Sequence, residues 1–276
     1  MPVDATDFGY VRDLIRDHAS IVLDDGKEYL VETRLEPLAR REGFADLGSM
    51  VDVLRTRPVE RLHRRVIECM TTNETSFFRD IHPFDALKRT VLPDLIAARA
   101  GARSLDIWCA GCASGQEPYS ILMLLRDSFP SLAEWNIRLL ATDLSPAMIE
   151  RARAGTYTQL EVNRGLPATM LVKFFEKDGD DWHINERARR GAEFRELNLA
   201  APWPAVPRMD IVFLRNVMIY LDLATKRRIL AQLRDLLRPD GLLFLGTAET
   251  TYGIDDAFEC VTLGKATAYR LKAAGG

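Results

Sequence analysis

The chain has 276 residues, 47% of them hydrophobic and 28% charged, and its 37 Lys+Arg against 40 Asp+Glu leave a net charge of −3. That is the composition of a folded globular protein, which excludes disordered, collagenous and disulfide-scaffolded chains and speaks against gripping nucleic acid by bulk charge. The opening MPVDATDFGYVRDL lacks the basic-then-apolar order of a secretory leader, and no run approaches the roughly 18 apolar residues of a spanning helix. With only four cysteines (Cys69, Cys109, Cys112, Cys260), the expectation is a reduced, cytoplasmic protein.

The first 70 residues or so read as helices alone, with apolar residues at helical spacing in Tyr10, Val11, Leu14, Ile15 and again in Tyr29, Leu30, Leu35, Leu38. Glu36 and Pro37 interrupt the second of these patterns. A helix from His82 to Arg99 leads into a different regime. From Ser104 onward, short apolar runs (SLDIWC, IRLLAT, MDIVFLR, GLLFLG) alternate with amphipathic stretches at Glu117 to Phe129, Ala147 to Ala154 and Ala224 to Leu237. The alternation predicts an α/β class fold with a mostly parallel, helix-covered sheet. Ser145 and Pro146 read as an N-cap and first helical residue, which puts Asp143 at a strand's C-terminal end, where open α/β sheets bind ligands. FECVTLG and TAYRLK, joined at Gly264-Lys265, predict a closing antiparallel hairpin. The expected domains are an N-terminal helical domain over residues 1–75 and an α/β domain over 76–276, with a small antiparallel β insertion at about 174–197 where WHIN and EFREL occur.

The segment LDIWCAGCASGQEPYS places Gly111 and Gly115 between a strand and a helix, so free N–H groups are expected to face a ligand there. A ligand-free βα turn uses glycine as well. Asp143, at the end of the next strand, strengthens a nucleotide-type reading, because a carboxylate accepts both hydroxyls of a ribose. Cys109 and Cys112 form a lone CxxC without the partner pair of a closed zinc site, and read better as small residues lining the turn than as a redox or metal pair. Asn73, Thr75 and Arg79 lie in a polar cluster at the junction of the two domains, a helix cap or a functional loop. Arg215 and Asn216 end the strand MDIVFLR on the sheet edge of Asp143; Tyr220 follows within one turn, and Asn198 stands in ELNLAAPW.

Taken in order, TxNxTxFFR at 71–79, WCAGCASGQEPYS at 108–120, ATDLS at 141–145, NL at 198–199, RNVMIYL at 215–221 and PDGLLFLGTAE at 239–249 resemble the CheR-type chemotaxis receptor methyltransferases over nearly the whole chain. The resemblance implies a Rossmann-like S-adenosylmethionine-dependent methyltransferase sheet, an all-helical N-terminal domain and a small β subdomain. It also implies a protein-glutamate O-methyltransferase that esterifies glutamates on the cytoplasmic helices of membrane chemoreceptors, leaving S-adenosylhomocysteine. Cofactor contacts carried over by resemblance are Asn73, Thr75, Arg79, Gly111, Glu117, Asp143, Asn198, Leu199, Arg215 and Asn216. Arg79 is assigned the methionine carboxylate, Glu117 the α-amino group, and Asn198 with Leu199 the adenine. Arg79 and Tyr220 are the catalytic candidates.

No metal is expected. A glutamate with an unperturbed pKa of about 4.3 is already ionised at neutral pH, so methyl transfer to it needs alignment rather than a general base. The expected partner is the receptor alone, with no nucleic acid and no membrane insertion, and the chain is expected to be a monomer. Basic residues available to an acidic receptor helix are Arg55, Arg57, Arg61, Arg64 and Arg65, with Lys27, Arg34, Arg40 and Arg41 on the helix the family uses. The short β insertion predicts a member that works without a receptor tether peptide. Competing readings are a same-fold methyltransferase acting on another substrate and a non-catalytic S-adenosylmethionine-binding regulator.

Overall fold

The computed structural model describes residues 3–57 and 59–273. They fall into two compact units: one runs to Thr72 and takes in Tyr220–Lys226, and the other comprises Asn73–Ile219 and the chain from Arg227 onward.

The first unit is built on α1 (Ala5–Ala19), α2 (Glu28–Arg41), α3 (Leu47–Thr56) and α4 (Glu60–Met70). Asp4 caps α1 by accepting the N–H groups of Thr6 and Asp7, and Asp46 forms a capping box with Ser49 at the start of α3. Val11, Ile15, Val31, Leu35, Met50 and Val66 bury one face of each helix in a common core. Contrary to the sequence expectation, α2 is not interrupted at Glu36 and Pro37. Leu35 and Leu38 are wholly buried on either side of the proline, so core packing carries the helix past the one rung that Pro37 cannot donate. Arg34 on α2 donates to the carbonyls of Met70 and Thr71 at 2.8 and 3.1 Å, clasping the end of α4. Much of the expected basic face is also engaged internally: Arg55 pairs with Asp7 at 2.9 Å, and Arg61 and Arg65 both pair with Glu42.

The second unit carries a seven-stranded sheet made of β1 (Ser104–Ala110), β2 (Asn136–Asp143), β6 (Ala192–Glu196), β7 (Met209–Leu214), β8 (Leu237–Leu245), β9 (Phe258–Leu263) and β10 (Ala266–Leu271). Its order is β6-β2-β1-β7-β8-β10-β9, with the first five parallel and β10 antiparallel to both neighbours. The central strands read as continuous apolar runs because helices cover both faces; Leu105, Ile107, Leu139, Ile211, Phe213 and Phe244 are core residues. The helix expected from His82 to Arg99 runs over 82–98 and contains a π turn, Leu87–Val91, between α-helical pieces at His82–Ala86 and Leu92–Ala98. Pro93 lies two residues past the end of that turn, and the wider backbone spacing accommodates a residue with no N–H to bond the preceding turn.

The β insertion differs from expectation. A three-stranded antiparallel sheet is formed by β3 (Thr156–Thr158), β5 (Asp181–Ile184) and β4 (Phe175–Asp178), so it starts before residue 174. The EFREL run is β6, which pairs in parallel with β2 on the main sheet instead. Its alternation marks a strand but does not name its partner; the free edge of β2 supplies it.

Candidate active site

Four segments of the second unit converge beyond the C-terminal ends of β1, β2 and β7, the edge where an open α/β sheet offers its loops to a ligand. Asp143 ends β2, 8% exposed, and accepts the N–H of Ala113 on one oxygen at 2.8 Å and that of Ser145 on the other at 3.0 Å. Burial pushes its carboxyl above the usual range, against the pull of those N–H groups. In the turn after β1, two N–H groups are taken within the fold: Gly111 and Cys112 both donate to the Thr142 carbonyl, at 2.8 and 2.9 Å. These bonds fix the turn to the end of β2. Gly111 is required by close approach, since a Cβ there would lie 2.4 Å from Cγ2 of Val217. Burial also pushes the Cys109 and Cys112 thiols well up, leaving them as small inert lining rather than a redox pair.

Glu117 opens the helix Gln116–Ser128 and faces Arg215, which follows β7. The Arg215 guanidinium, its side chain 1% exposed, donates to Glu117 at 2.8 Å, to Asp80 at 2.7 Å and to the Arg79 carbonyl at 3.0 Å. Burial raises the Glu117 carboxyl while Arg215 pulls it back. Arg215 Nε is buried with no partner, and Glu117 Oε1 receives no donor among the described residues.

The loop carrying Asn73, Thr75 and Arg79 is held at several points. Phe78 N–H donates to Ser120 Oγ at 2.9 Å, Arg79 donates to the Glu74 carbonyl at 2.9 Å, Arg164 pairs with Glu74, and the Gly165 backbone lies against the Phe77 carbonyl. Four non-glycine residues in the left-handed region fall on these site loops: Phe78 (φ 49°), Asp80 (φ 63°), Ala113 (φ 46°) and Asn216 (φ 59°). Each such conformation costs roughly 1–2 kcal/mol, so their gathering here marks loops shaped by the surrounding fold.

Asn198 and Leu199 follow β6, where Leu197 N–H donates to the Asp143 carbonyl at 2.9 Å and the Asn198 amide oxygen accepts from Ala200 at 2.9 Å. Two bonded groups thus meet this sheet edge: Asp143 with Ala113, Ser145 and the Leu197 N–H ahead of Asn198 and Leu199, and Arg215 with Glu117, Asp80 and the Arg79 carbonyl. Tyr220 belongs to the segment grouped with the helical unit, where its carbonyl accepts Val22 N–H at 2.8 Å. Sequence reasoning missed Asp80, Ser120 and the Arg164-Gly165 turn, whose short polar or glycine character carries no signal outside the fold. It also gave no role to Glu249, which accepts the N–H groups of Asn216 and Val217.

Residues 73–267 match the family described as CheR methyltransferase, SAM binding domain, and residues 6–71 match CheR methyltransferase, all-alpha domain. The chain belongs to the CheR methyltransferase family. Among its relatives, Chemotaxis protein methyltransferase 1 of Pseudomonas aeruginosa is 39% identical over 271 residues, covering 96% of this chain and 98% of that protein. A chemotaxis protein methyltransferase of Pseudomonas putida is 36% identical over the same shares. One of Vibrio parahaemolyticus is 38% identical over 94% of each chain.

S-adenosylmethionine is the cofactor of this CheR-family chain, and the site fits it. The unpartnered Glu117 oxygen suits an ammonium, the buried Asp143 carboxylate suits vicinal hydroxyls, and the orphaned Arg215 Nε lies among them as a donor awaiting an acceptor. Among the described residues, no helix is long and apolar enough to cross a membrane.

Proposed function

We propose that this CheR-family chain is a protein-glutamate O-methyltransferase that esterifies glutamate side chains on the cytoplasmic helices of chemoreceptors. The observation that carries the reading is the pair of carboxylates, buried Asp143 and mostly buried Glu117, braced by backbone N–H groups and by Arg215 at the C-terminal edge of a family-matched sheet. When bound, S-adenosylmethionine supplies a sulfonium-activated methyl group that a substrate carboxylate oxygen takes by in-line displacement. In this reading Asp143 holds the ribose hydroxyls and Glu117 the α-amino group. Asn73, Thr75 and Arg79 close over the cofactor, with Arg79 on the methionine carboxylate; Asn198 and Leu199 flank the adenine, and Arg215 and Asn216 complete the contacts. Arg79 and Tyr220 orient the reacting groups. The ionised substrate needs no base, so fixed alignment is the main source of rate.

The deciding experiment incubates the protein with methyl-labelled S-adenosylmethionine and chemoreceptor-containing membranes. Label on the receptor that mild alkali releases is the expected result. Alkali-stable label, or no label on the receptor despite cofactor binding, overturns the reading.

The hairpin of the small sheet leaves only Gly179 and Asp180 between β4 and β5. Such a tight turn supports a member that methylates untethered receptors, so receptor C-terminal peptides are expected not to bind in calorimetry. Tight binding of one overturns tether independence.

A further inference from the structure

We propose that Glu249 is a positioning residue for cofactor binding, acting through the backbone of the loop that follows β7. The inference rests on the methyltransferase reading, which makes Arg215 and Asn216 cofactor contacts.

The Glu249 side chain, in a residue 9% exposed, takes four backbone N–H groups. One carboxylate oxygen accepts from Asn216 at 2.8 Å and Gly246 at 2.6 Å, and the other from Val217 at 2.9 Å and Ile219 at 3.2 Å. A carboxylate offers about four acceptor positions, so protein donors fill this one and leave none for a substrate or an ammonium. That saturation separates Glu249 from Glu117 and assigns it a holding role.

What it holds is specific. Gly246 follows β8 and residues 216–219 follow β7, so one side chain joins the exits of two adjacent parallel strands. Asn216 sits in the left-handed region, and its own N–H and the next are both captured by Glu249. The space is matched to the contact: a Cβ at Gly246 would lie 2.8 Å from both the Asn216 amide nitrogen and the Glu249 carboxylate. The Tyr269 hydroxyl donates to the Glu249 carbonyl at 3.4 Å, bracing the residue from β10. No aliphatic residue can replace these four acceptor contacts, and an amide turns a donor group towards two N–H groups.

The test compares the full chain with its Glu249→Gln variant. Expected is a rise of about 10–100-fold in the dissociation constant for S-adenosylhomocysteine by calorimetry. A matching rise in KM for S-adenosylmethionine is expected, with kcat at saturating cofactor changed by less than about threefold. A merely structural role lowers the folded fraction and leaves the KM of the folded molecules unmoved, which overturns the proposal. A second measurement needs no variant. In the ligand-free wild-type chain, the amides of Asn216, Val217, Ile219 and Gly246 are expected to exchange with solvent deuterium as slowly as those of β7. Fast exchange of those amides overturns the proposal and leaves the methyltransferase reading standing. A wild-type chain that binds no S-adenosylhomocysteine overturns both.

Discussion

At the N-terminal ends of the parallel strands, Asp106 and Asp210 are buried among guanidinium groups. Asp106 accepts from Arg138 at 2.6 Å and from Arg238 at 3.3 Å, while Asp210 accepts from Arg99 at 2.9 Å and from the Asp106 N–H at 2.9 Å. Arg99 also reaches Asp240, and these carboxylates hold its guanidinium still more firmly protonated. Three cations there face three anions. At the C-terminal ends, Glu117 and Asp80 share the single guanidinium of Arg215, and Asp143 has only backbone N–H groups. Paired charge is balanced at one end of the sheet, and at the other the carboxylates outnumber the guanidinium that pairs with them. The balanced end holds the fold together, and the excess at the other end is what a cationic ligand neutralises.

The comparison breaks most visibly at Asp210. Replacing it with alanine takes one carboxylate from Arg99 and Arg238, leaves the buried Asp106 N–H without its acceptor, and is expected to cost about 3 kcal/mol in denaturant unfolding. The S-adenosylhomocysteine affinity of the folded fraction should stay within about twofold, because no ligand group lies at that end. The converse variant, Asp143→Ala, is expected to stay folded and to lose about 100-fold in cofactor affinity by calorimetry, since two charge-assisted hydrogen bonds disappear. Unchanged affinity removes Asp143 from the site.

Acid sharpens the contrast further. Burial raises the Asp143 and Glu117 carboxyls above their unfolded values, so falling pH neutralises them in the folded chain first. They favour the fold at pH below their ordinary range and lose that contribution as pH rises through the raised values. Cofactor affinity moves the opposite way, falling by about tenfold per pH unit once a raised carboxyl protonates. Calorimetry between about pH 7 and pH 4 should show the decline starting above the usual carboxylate range; a flat profile contradicts it. The smallest effect belongs to Arg164→Ala. The Arg164–Glu74 pair is more than half exposed, so its loss should leave the melting temperature nearly unchanged while loosening the Arg79 loop. A two- to fivefold rise in KM for S-adenosylmethionine is expected, of about the size a surface pair supplies.

Sequence patterns made the main sheet legible because its strands are buried on both faces and its helices on one, so periodicity changes at each boundary. Asp143 was legible for a local reason: the Ser145-Pro146 cap fixes where β2 must stop. The β9–β10 hairpin was marked by Gly264-Lys265 at its turn. Contacts between distant segments were not legible. β6 alternates like any amphipathic strand and finds β2 only in the folded chain. The N–H groups of the β1 turn look available until the Thr142 carbonyl takes two of them. Arg215 is 98 residues from Glu117 and 135 from Asp80, separations at which no pattern in the chain announces a partner. Pro37 misled for the opposite reason, since a strong local rule yields there to a packed core.

The placement of β10 between β8 and β9 has a consequence for how the sheet is assembled. β9 precedes β10 in the chain, yet β10 is the only strand it pairs with among the described residues, so it cannot dock first. The hairpin can close as a local unit, a microsecond event for two strands joined by so short a turn, and β9 joins the sheet only through β10. Order of docking is therefore the reverse of order in the chain, and the two strands stand or open together as one cooperative unit.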